Sequence, residues 1–213
     1  MKRNSVKKMV SLAMFAAIAY VIVSVIRIPV VLFLKYEPKD VIITVGGFIF
    51  GPMASFIISL VVSLLEMVSI SDTGIIGCIM NLLSTCTFAC TAAYVYKKWH
   101  TINGAVVGLA VGSVLMVGAM LLWNWLITPL YMGTDRATIA SMLIPIFLPF
   151  NLLKAGLNSA LTLSLYKPLV GALRKVGLVE THGEKSSKAG LYIFAGILLI
   201  TCILLLLVFQ GKL

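Results

Sequence analysis

Residues 41–65, Val-Ile-Ile-Thr-Val-Gly-Gly-Phe-Ile-Phe-Gly-Pro-Met-Ala-Ser-Phe-Ile-Ile-Ser-Leu-Val-Val-Ser-Leu-Leu, form a charge-free run whose interpretation decides the fold. The run is long enough for one α-helix across ~30 Å of hydrocarbon. However, Gly51-Pro52 stands where a continuous helix would have to kink or stop. The run is therefore either one membrane span or a short helix followed by a full span.

The distribution of charge decides between these two interpretations. If the run were a single span, Lys97 and Lys98 would lie outside the cell and the acidic residues Glu66 and Asp72 inside, against the positive-inside rule. If the chain turns at Gly51-Pro52, the two lysines lie inside together with the basic N-terminus. The sequence therefore predicts a turn there.

The turn leaves a short second helix over residues 40–50. At ~16 Å, this helix cannot cross the bilayer alone. The connector 27–40 must therefore dip toward the membrane from the outer side. Irregular backbone at that depth is tolerated only where protein or a cavity surrounds it, so we expect the connector to form a wall or lid of an outward-facing pocket.

The composition places the whole chain in a membrane. Of its 213 residues, 61% are hydrophobic and only 11% are charged, and the mean hydropathy is +1.09, whereas about 25% of an ordinary soluble domain is charged. The apolar runs do not alternate as barrel strands would. The net charge of +10 comes from basic residues beside these runs, which indicates topology rather than nucleic-acid binding. We therefore predict an all-α, multi-pass integral membrane protein.

The remaining apolar runs complete a bundle of six helices with one addition. We interpret the first run as an uncleaved span with a cytoplasmic N-terminus, and we expect Pro145 and Pro149 to bend the sixth helix. The division is a six-helix membrane domain (1–175), a cytoplasmic linker (176–188) and an additional C-terminal transmembrane helix (189–213). The third helix follows Gly51-Pro52 and ends near residue 65, and the others are predicted over 9–26, 74–96, 103–127, 139–166 and 189–209.

Polar side chains recur on one face of the sixth helix. In the stretch Pro149-Phe150-Asn151-Leu152-Leu153-Lys154-Ala155-Gly156-Leu157-Asn158, a helical period places Asn151, Lys154 and Asn158 within a ~60° arc. A lysine inside an apolar helix is costly unless it faces a partner, a wet cavity or a ligand. The alternative is that Lys154 snorkels to a headgroup or pairs with a carbonyl. The two asparagines on its face favour a binding site.

Two other amides are expected near this face. Asn124 lies between Trp123 and Trp125 at the outer end of the fifth helix, where the tryptophans alone would also fit an interfacial aromatic belt. Asn81, in the outer half of the fourth helix, either joins the site or links helices. Amide and ammonium groups in an aromatic-edged cavity suit a flat neutral ligand with ring carbonyls and hydroxyls. A phosphorylated ligand would need several convergent cations, and the presence of Lys35, Lys39 and Arg27 leaves this possibility open.

The sequence lacks the residues that several classes of enzyme and carrier require. There is no Walker-type phosphate loop and no protease motif, and both histidines fall in predicted cytoplasmic loops. Glu66 is the only acid that the predicted spans bring near the membrane, so a proton-relay carrier is less favoured. The four cysteines are interpreted as small buried hydrophobes. We expect no enzymatic activity, catalytic residue, metal or cofactor, and an autonomous secondary carrier or a small membrane enzyme is the alternative of a different class.

Four motifs carry a resemblance to a known family. They are Leu-Ala-Met-Phe-Ala-Ala at 12–17, Lys-Tyr-Glu-Pro-Lys-Asp at 35–40, Gly-Gly-Phe-Ile-Phe-Gly-Pro at 46–52 and Pro-Phe-Asn-Leu-Leu-Lys at 149–154. In this order, over roughly residues 5–175, the chain resembles the substrate-binding (S) components of energy-coupling-factor (ECF) vitamin transporters, and among them the riboflavin-specific type. The seventh helix departs from the usual six.

The resemblance implies a function and a set of partners. The chain would bind riboflavin with high affinity from outside a prokaryotic plasma membrane, and would deliver it through a transmembrane coupling subunit with two cytoplasmic ATPases. An S component for another vitamin or for riboflavin phosphate (FMN) is the alternative. The resemblance assigns Asn124, Asn151 and Lys154 to flavin contacts, Lys35 and Tyr36 to closure over the ligand, and Ala13 and Ala17 to the coupling subunit. Asn158 and Asn81 are added from their helical positions.

Overall fold

The computed structural model describes residues 2–71, 73–175 and 189–209. The predicted linker 176–188 therefore lies outside the described residues. Within them, the chain is helical apart from one short hairpin and the turns, which confirms the all-α membrane class. Among the described residues, five helical stretches are long and apolar enough to cross a membrane: Val6–Val25, Pro52–Ser69, Gly74–Trp99, Ile102–Met132 and Arg136–Tyr166.

The helices follow the predicted order, and two of the long spans contain a π-helical turn. One such turn is Cys86–Cys90, and another is Leu143–Phe147. The elements are α1 (Lys2–Val25), β1 (Ile28–Val31), β2 (Leu34–Tyr36), α2 (Lys39–Phe50), α3 (Pro52–Ser69), α4 (Gly74–Thr85), α5 (Thr91–Trp99), α6 (Ile102–Met132), α7 (Arg136–Met142), α8 (Leu148–Lys175) and α9 (Ala189–Phe209).

The turn at Gly51-Pro52 is present, so the short second helix is confirmed. Gly51 has φ +91°, a conformation that a side chain would strain. Pro52 is the first residue of α3, where its missing N–H costs no helical hydrogen bond. Helix α2 is buried from Lys39 to Phe48. It is therefore a central element of the bundle rather than a membrane-facing one.

The connector folds into a β-hairpin, which the sequence did not predict. Strands β1 and β2 pair antiparallel around a turn at Leu32, whose φ is +51°. The pairing satisfies backbone N–H and C=O groups that would otherwise be costly near the membrane. The expectation that 27–40 forms irregular backbone is thus wrong in detail, because the hairpin supplies its own hydrogen bonds.

Two predicted helix ends need correction. Helix α6 continues past residue 127 and through Pro129 to Gly133, which closes it with φ +65°. A proline removes one backbone hydrogen bond but does not end a helix that its neighbours support. Helix α8 extends beyond Tyr166 to Lys175. Pro145 lies in the π-helical turn before α8, in agreement with the expected irregularity of this span.

Close packing of helix backbones holds the bundle around the site. A Cβ added at Gly108 or Gly112 of α6 would lie 2.7 and 2.6 Å from the carbonyl oxygens of Ala92 and Phe88. Larger residues at these glycines would therefore separate α6 from the α4–α5 span. On the other side, Gly156 of α8 approaches the Cys202 sulfur of α9, at 2.7 Å from an added Cβ. The additional helix α9 is thus packed on α8.

Candidate ligand-binding cavity

A cavity of about 290 Å³ lies between the hairpin connector, α4, α6 and α8. This volume is at the lower end of the range typical of small-molecule sites. The connector forms one of its walls, as the sequence predicted. The polar side chains that line it are Arg27, Lys35, Glu37, Ser71, Thr73, Asn81, Ser84, Asn124, Tyr131, Asn151 and Lys154.

Five of the seven residues predicted to contact the ligand line this cavity. They arise from four separate elements: the connector, α4, α6 and α8. The C-terminal part of α6 and the first turns of α8 converge because α6 and α8 pack together on either side of the turn near Gly133. These residues are Lys35, Asn81, Asn124, Asn151 and Lys154.

The other two predicted contacts, Tyr36 and Asn158, do not line the cavity. The Tyr36 hydroxyl donates to Asn158 Oδ1 at 3.1 Å, and Asn158 Nδ2 donates to Asp40 Oδ2 at 3.2 Å. Both side chains are fully packed, with 4% and 0% of their surface exposed. Burial raises the pKa of Tyr36, which keeps its hydroxyl a donor. Asn158 shares the helical face of Lys154 but lies one turn further along, behind Asp40.

Lys154 has both a partner and a cavity surface. Its ammonium lies 3.2 Å from Asp40 Oδ2 and donates to Ser84 Oγ at 3.3 Å. The other oxygen of Asp40 accepts from Thr85 Oγ1 at 2.7 Å. A lysine ammonium has three N–H donors. Asp40 and Ser84 engage two of them, and these two bonds fix the direction of the third. The ion pair with Asp40 compensates the free-energy cost of burying a lysine in an apolar helix.

A second ionic cluster lies beside the first and was missed by the sequence reasoning. Lys39 Nζ contacts Glu37 Oε2 at 2.7 Å and both oxygens of Glu66 at 2.5 Å. Arg27 Nε contacts Glu37 Oε1 at 3.0 Å, and Asn81 Nδ2 donates to Glu66 Oε2 at 3.0 Å. The expectation that Glu66 is the only acid near a predicted span is wrong, because Asp40 pairs with Lys154 of α8. Lys39, which was predicted to lie in the connector 27–40, is the buried first residue of α2.

The charges of the two clusters cancel. The three cations Arg27, Lys39 and Lys154 face the three carboxylates Glu37, Asp40 and Glu66. Burial by itself raises the pKa of Glu37, but the adjacent Lys39 ammonium lowers the pKa by more than burial raises it. The pKa of Glu37 therefore lies below its usual value, and the carboxylate is ionised near neutral pH. A sequence signal existed in the mixed charges of 35–40 directly before a buried helix.

The amides are oriented by bonds to their own helices. Asn124 Nδ2 donates to the Met120 carbonyl at 2.7 Å, and its Oδ1 accepts from Thr128 at 2.9 Å. Asn151 Nδ2 donates to the Phe147 carbonyl at 2.7 Å. Since an amide offers two N–H donors and a carbonyl acceptor, each retains capacity for a ligand. Asn151 thus presents an acceptor and a donor, and Asn124 presents a donor.

Aromatic rings form the apolar part of the cavity. Phe33 from the hairpin and Tyr131 from α6 meet edge to face, with ring centroids 5.6 Å apart, and Phe150 of α8 lies in the same wall. Trp125 does not line the cavity; it is 40% exposed, with the Arg136 guanidinium 5.9 Å from its ring. This position fits the predicted aromatic belt. The rings that remain offer flat apolar contacts to a planar ligand.

The small residues predicted to meet a partner are on the outside of α1. Ala13 and Ala17 are exposed, whereas Ala16 and Ala19 are buried in the bundle. The exposed pair is spaced by four residues and therefore lies on one helical face. All four cysteines are free thiols, as expected, but only Cys202 is buried, and Cys78, Cys86 and Cys90 are half-buried.

The fold and this cavity define a multi-pass, predominantly helical membrane protein with a cavity of small-molecule size between polar and aromatic side chains. The family model for the substrate-specific component of ECF transporters matches residues 7–166. The chain therefore belongs to this family of transporter components. A solved structure described as the S component of a bacterial ECF transporter has a TM-score of 0.68 and 26% identity, and the match covers 80% of this chain and 99% of that one.

Two relatives extend the comparison. The riboflavin transporter RibU of Staphylococcus aureus (strain TCH60) is 29% identical over 180 residues, which cover 80% of this chain and 94% of that protein. The riboflavin transporter FmnP of Bacillus subtilis (strain 168) is 26% identical over 161 residues, which cover 70% of this chain and 84% of that protein. The family-model match ends at residue 166, before α9 begins at Ala189.

Proposed function

We propose that this chain is the riboflavin-binding S component of an ECF-type importer and captures riboflavin with high affinity from outside the cell. The observation that carries the proposal is the convergence of Asn124, Asn151 and Lys154 on one aromatic-edged cavity. Relatives over most of the chain are riboflavin transporters, which supports the choice of ligand.

The donors and acceptors of the cavity match the polar edge of a flavin ring. That edge carries an N–H between two carbonyls, so it needs one acceptor flanked by donors. Asn151 Oδ1 supplies the acceptor, and the N–H groups of Asn124 and Lys154 supply the donors. Phe33 and Phe150 contact the ring faces, while Lys35 and Asn81 lie in the wall for the hydroxylated chain. Tyr36 and Asn158 position the wall through Asp40 rather than contact the ligand.

The partners follow from the family. We propose that a transmembrane coupling subunit docks on the α1 face of Ala13 and Ala17, and that two cytoplasmic ATPases drive release, with the N-terminus and the linker 176–188 on the cytoplasmic side. The division into domains 1–175, 176–188 and 189–213 is part of this proposal. Riboflavin is cargo, and the chain itself performs no catalysis and holds no cofactor or metal.

Docking of the coupling subunit can be tested separately from ligand binding. Ala13→Trp and Ala17→Trp add bulk on an exposed face outside the cavity, and close helix approach requires small residues. We expect both variants to abolish riboflavin uptake in cells while the purified proteins bind riboflavin normally. Loss of binding in either variant would assign these alanines to internal packing instead.

The ligand can be tested directly on the purified chain. After purification in detergent from riboflavin-replete cells, the absorbance spectrum should show two flavin bands between 350 and 500 nm, and chromatography of the released compound should identify riboflavin. A colourless protein that also fails to quench the fluorescence of added riboflavin would contradict a flavin ligand and favour another vitamin. Uptake driven by an ion gradient without ATPases would favour an autonomous carrier, and turnover by the purified chain would favour an enzyme.

A further inference from the structure

We propose that Glu37 is a specificity-determining residue that disfavours phosphorylated flavins. Its carboxylate forms ion pairs with cations that a phosphate would otherwise bind. This inference rests on the proposed riboflavin-binding function and adds to it the reason why a cavity bordered by several cations accepts a neutral ligand.

The Glu37 carboxylate lies at the cavity wall with both of its oxygens engaged. Oε1 lies 3.0 Å from Arg27 Nε and Oε2 lies 2.7 Å from Lys39 Nζ. Glu37 and Arg27 both line the cavity, whereas Lys39 lies behind them with 1% of its surface exposed. A ligand that reaches this part of the wall therefore meets Arg27 already paired with Glu37, while Lys35 and Lys154 are further cations in the lining.

A phosphate monoester brings a charge of about −1.5 to −2 at neutral pH. A buried charge is costly unless cations and hydrogen bonds compensate it. At this wall the phosphate would have to compete with Glu37 for Arg27, and it would lie against a carboxylate of the same sign. A hydroxyl group avoids this conflict, because it can donate to the carboxylate and accept from the guanidinium.

The cluster is built so that the charge of Glu37 can be removed without releasing its neighbours entirely. Lys39 keeps both oxygens of Glu66 at 2.5 Å, and Arg27 keeps the Ile70 carbonyl at 2.7 Å from Nη1. Glu37→Gln preserves the side-chain shape. The substitution frees the Nε side of Arg27 and removes the like charge.

The test measures dissociation constants of riboflavin and of FMN for the wild type and Glu37→Gln by quenching of flavin fluorescence. We expect the wild type to prefer riboflavin by roughly tenfold or more, since a charged hydrogen bond is withheld from the phosphate. In Glu37→Gln the preference should fall by about tenfold, through tighter FMN binding that weakens with salt. Riboflavin affinity should stay within about threefold of the wild type, because Gln still hydrogen-bonds.

Two controls separate the local effect from net charge. Asp135→Asn removes the same unit charge from an exposed residue that caps α7 and does not line the cavity, and asparagine still caps a helix. Its riboflavin-to-FMN ratio should equal that of the wild type. In the double variant Glu37→Gln/Arg27→Gln the gain in FMN binding should vanish.

Arg27→Gln alone provides a second measurement if Glu37→Gln does not fold. Because this variant removes a counter-ion of Glu37 and leaves the carboxylate at the wall, FMN binding should weaken relative to riboflavin binding. The inference is overturned if Glu37→Gln keeps the wild-type ratio, if Asp135→Asn shifts it equally, or if Arg27→Gln leaves the ratio unchanged or favours FMN. A wild type that binds neither flavin would instead refute the proposed function itself.

Discussion

Two lysines near the cavity carry the same charge and pair with carboxylates, yet they sit in different surroundings. Lys39 is enclosed by Glu37 and Glu66 and has 1% of its surface exposed, whereas Lys154 pairs with Asp40 and keeps 7% exposed at the cavity wall. A lysine enclosed by two carboxylates can only hold elements together. A lysine with one carboxylate and a cavity surface can also bind a ligand. The difference separates a structural charge from a functional one.

Removing the enclosed lysine should have the largest effect. Lys39→Met leaves Glu37 and Glu66 buried without their shared cation, and breaking a buried pair costs about 3–5 kcal/mol. We expect a strongly lowered unfolding temperature in detergent, or no monodisperse protein. Lys97→Met, which removes an exposed charge at the opposite end of the bundle, is the matched control and should unfold like the wild type.

A normally folded Lys39→Met variant would contradict the structural role assigned to Lys39. In that case the two carboxylates would have to be protonated or hydrated within the bundle. Such a result would also remove the reason given for the neutral wall at Glu37, since Lys39 would not be needed to hold that carboxylate.

The two lysines also differ in how far the sequence predicts their surroundings. Lys154 was found through a local pattern, because a helical period places it on one face with Asn151 and Asn158. The partners of Lys39 are Glu37, which lies between β2 and α2, and Glu66 of α3, which is 27 residues from Lys39. No local period links them. The contacts form only because the hairpin folds inward.

The same limit applies to the fold. Periodicity, charge and the Gly51-Pro52 break predicted the helices, including the short α2. Strand β2 spans only Leu34–Tyr36, too few residues for an alternating pattern to be recognised. The predicted end of α6 at residue 127 is too early, because a packed membrane helix continues through Pro129 to Met132.

Removing the cavity lysine should have an intermediate effect and act on binding. Lys154→Met deletes a donor to the ligand, and we expect riboflavin binding to weaken by about 1–3 kcal/mol. The fold should be less affected than in Lys39→Met, because Asp40 keeps its bonds from Thr85 at 2.7 Å and Asn158 at 3.2 Å. Fluorescence quenching measures the affinity, and thermal unfolding without ligand measures the stability.

A double variant sharpens this prediction. In Asp40→Asn/Lys154→Met the buried carboxylate is neutralised together with its partner, so the unfolding temperature should recover relative to Lys154→Met. The affinity should stay weak because the ammonium donor is still missing. Recovery of riboflavin affinity in the double variant would mean that Lys154 matters only as the counter-ion of Asp40.

The smallest effects should separate two asparagines on the same helical face. Asn151→Ala removes an amide from the cavity wall, and we expect binding to weaken by about 1–2 kcal/mol with little change in unfolding temperature. Asn158→Ala leaves Tyr36 and Asp40 without a shared partner, so it should lower the stability by about 1–3 kcal/mol and change the affinity less. If both variants lost affinity equally at unchanged stability, Asn158 would contact the ligand as its helical position suggests, and the cavity would extend one turn deeper into α8 when the ligand is bound.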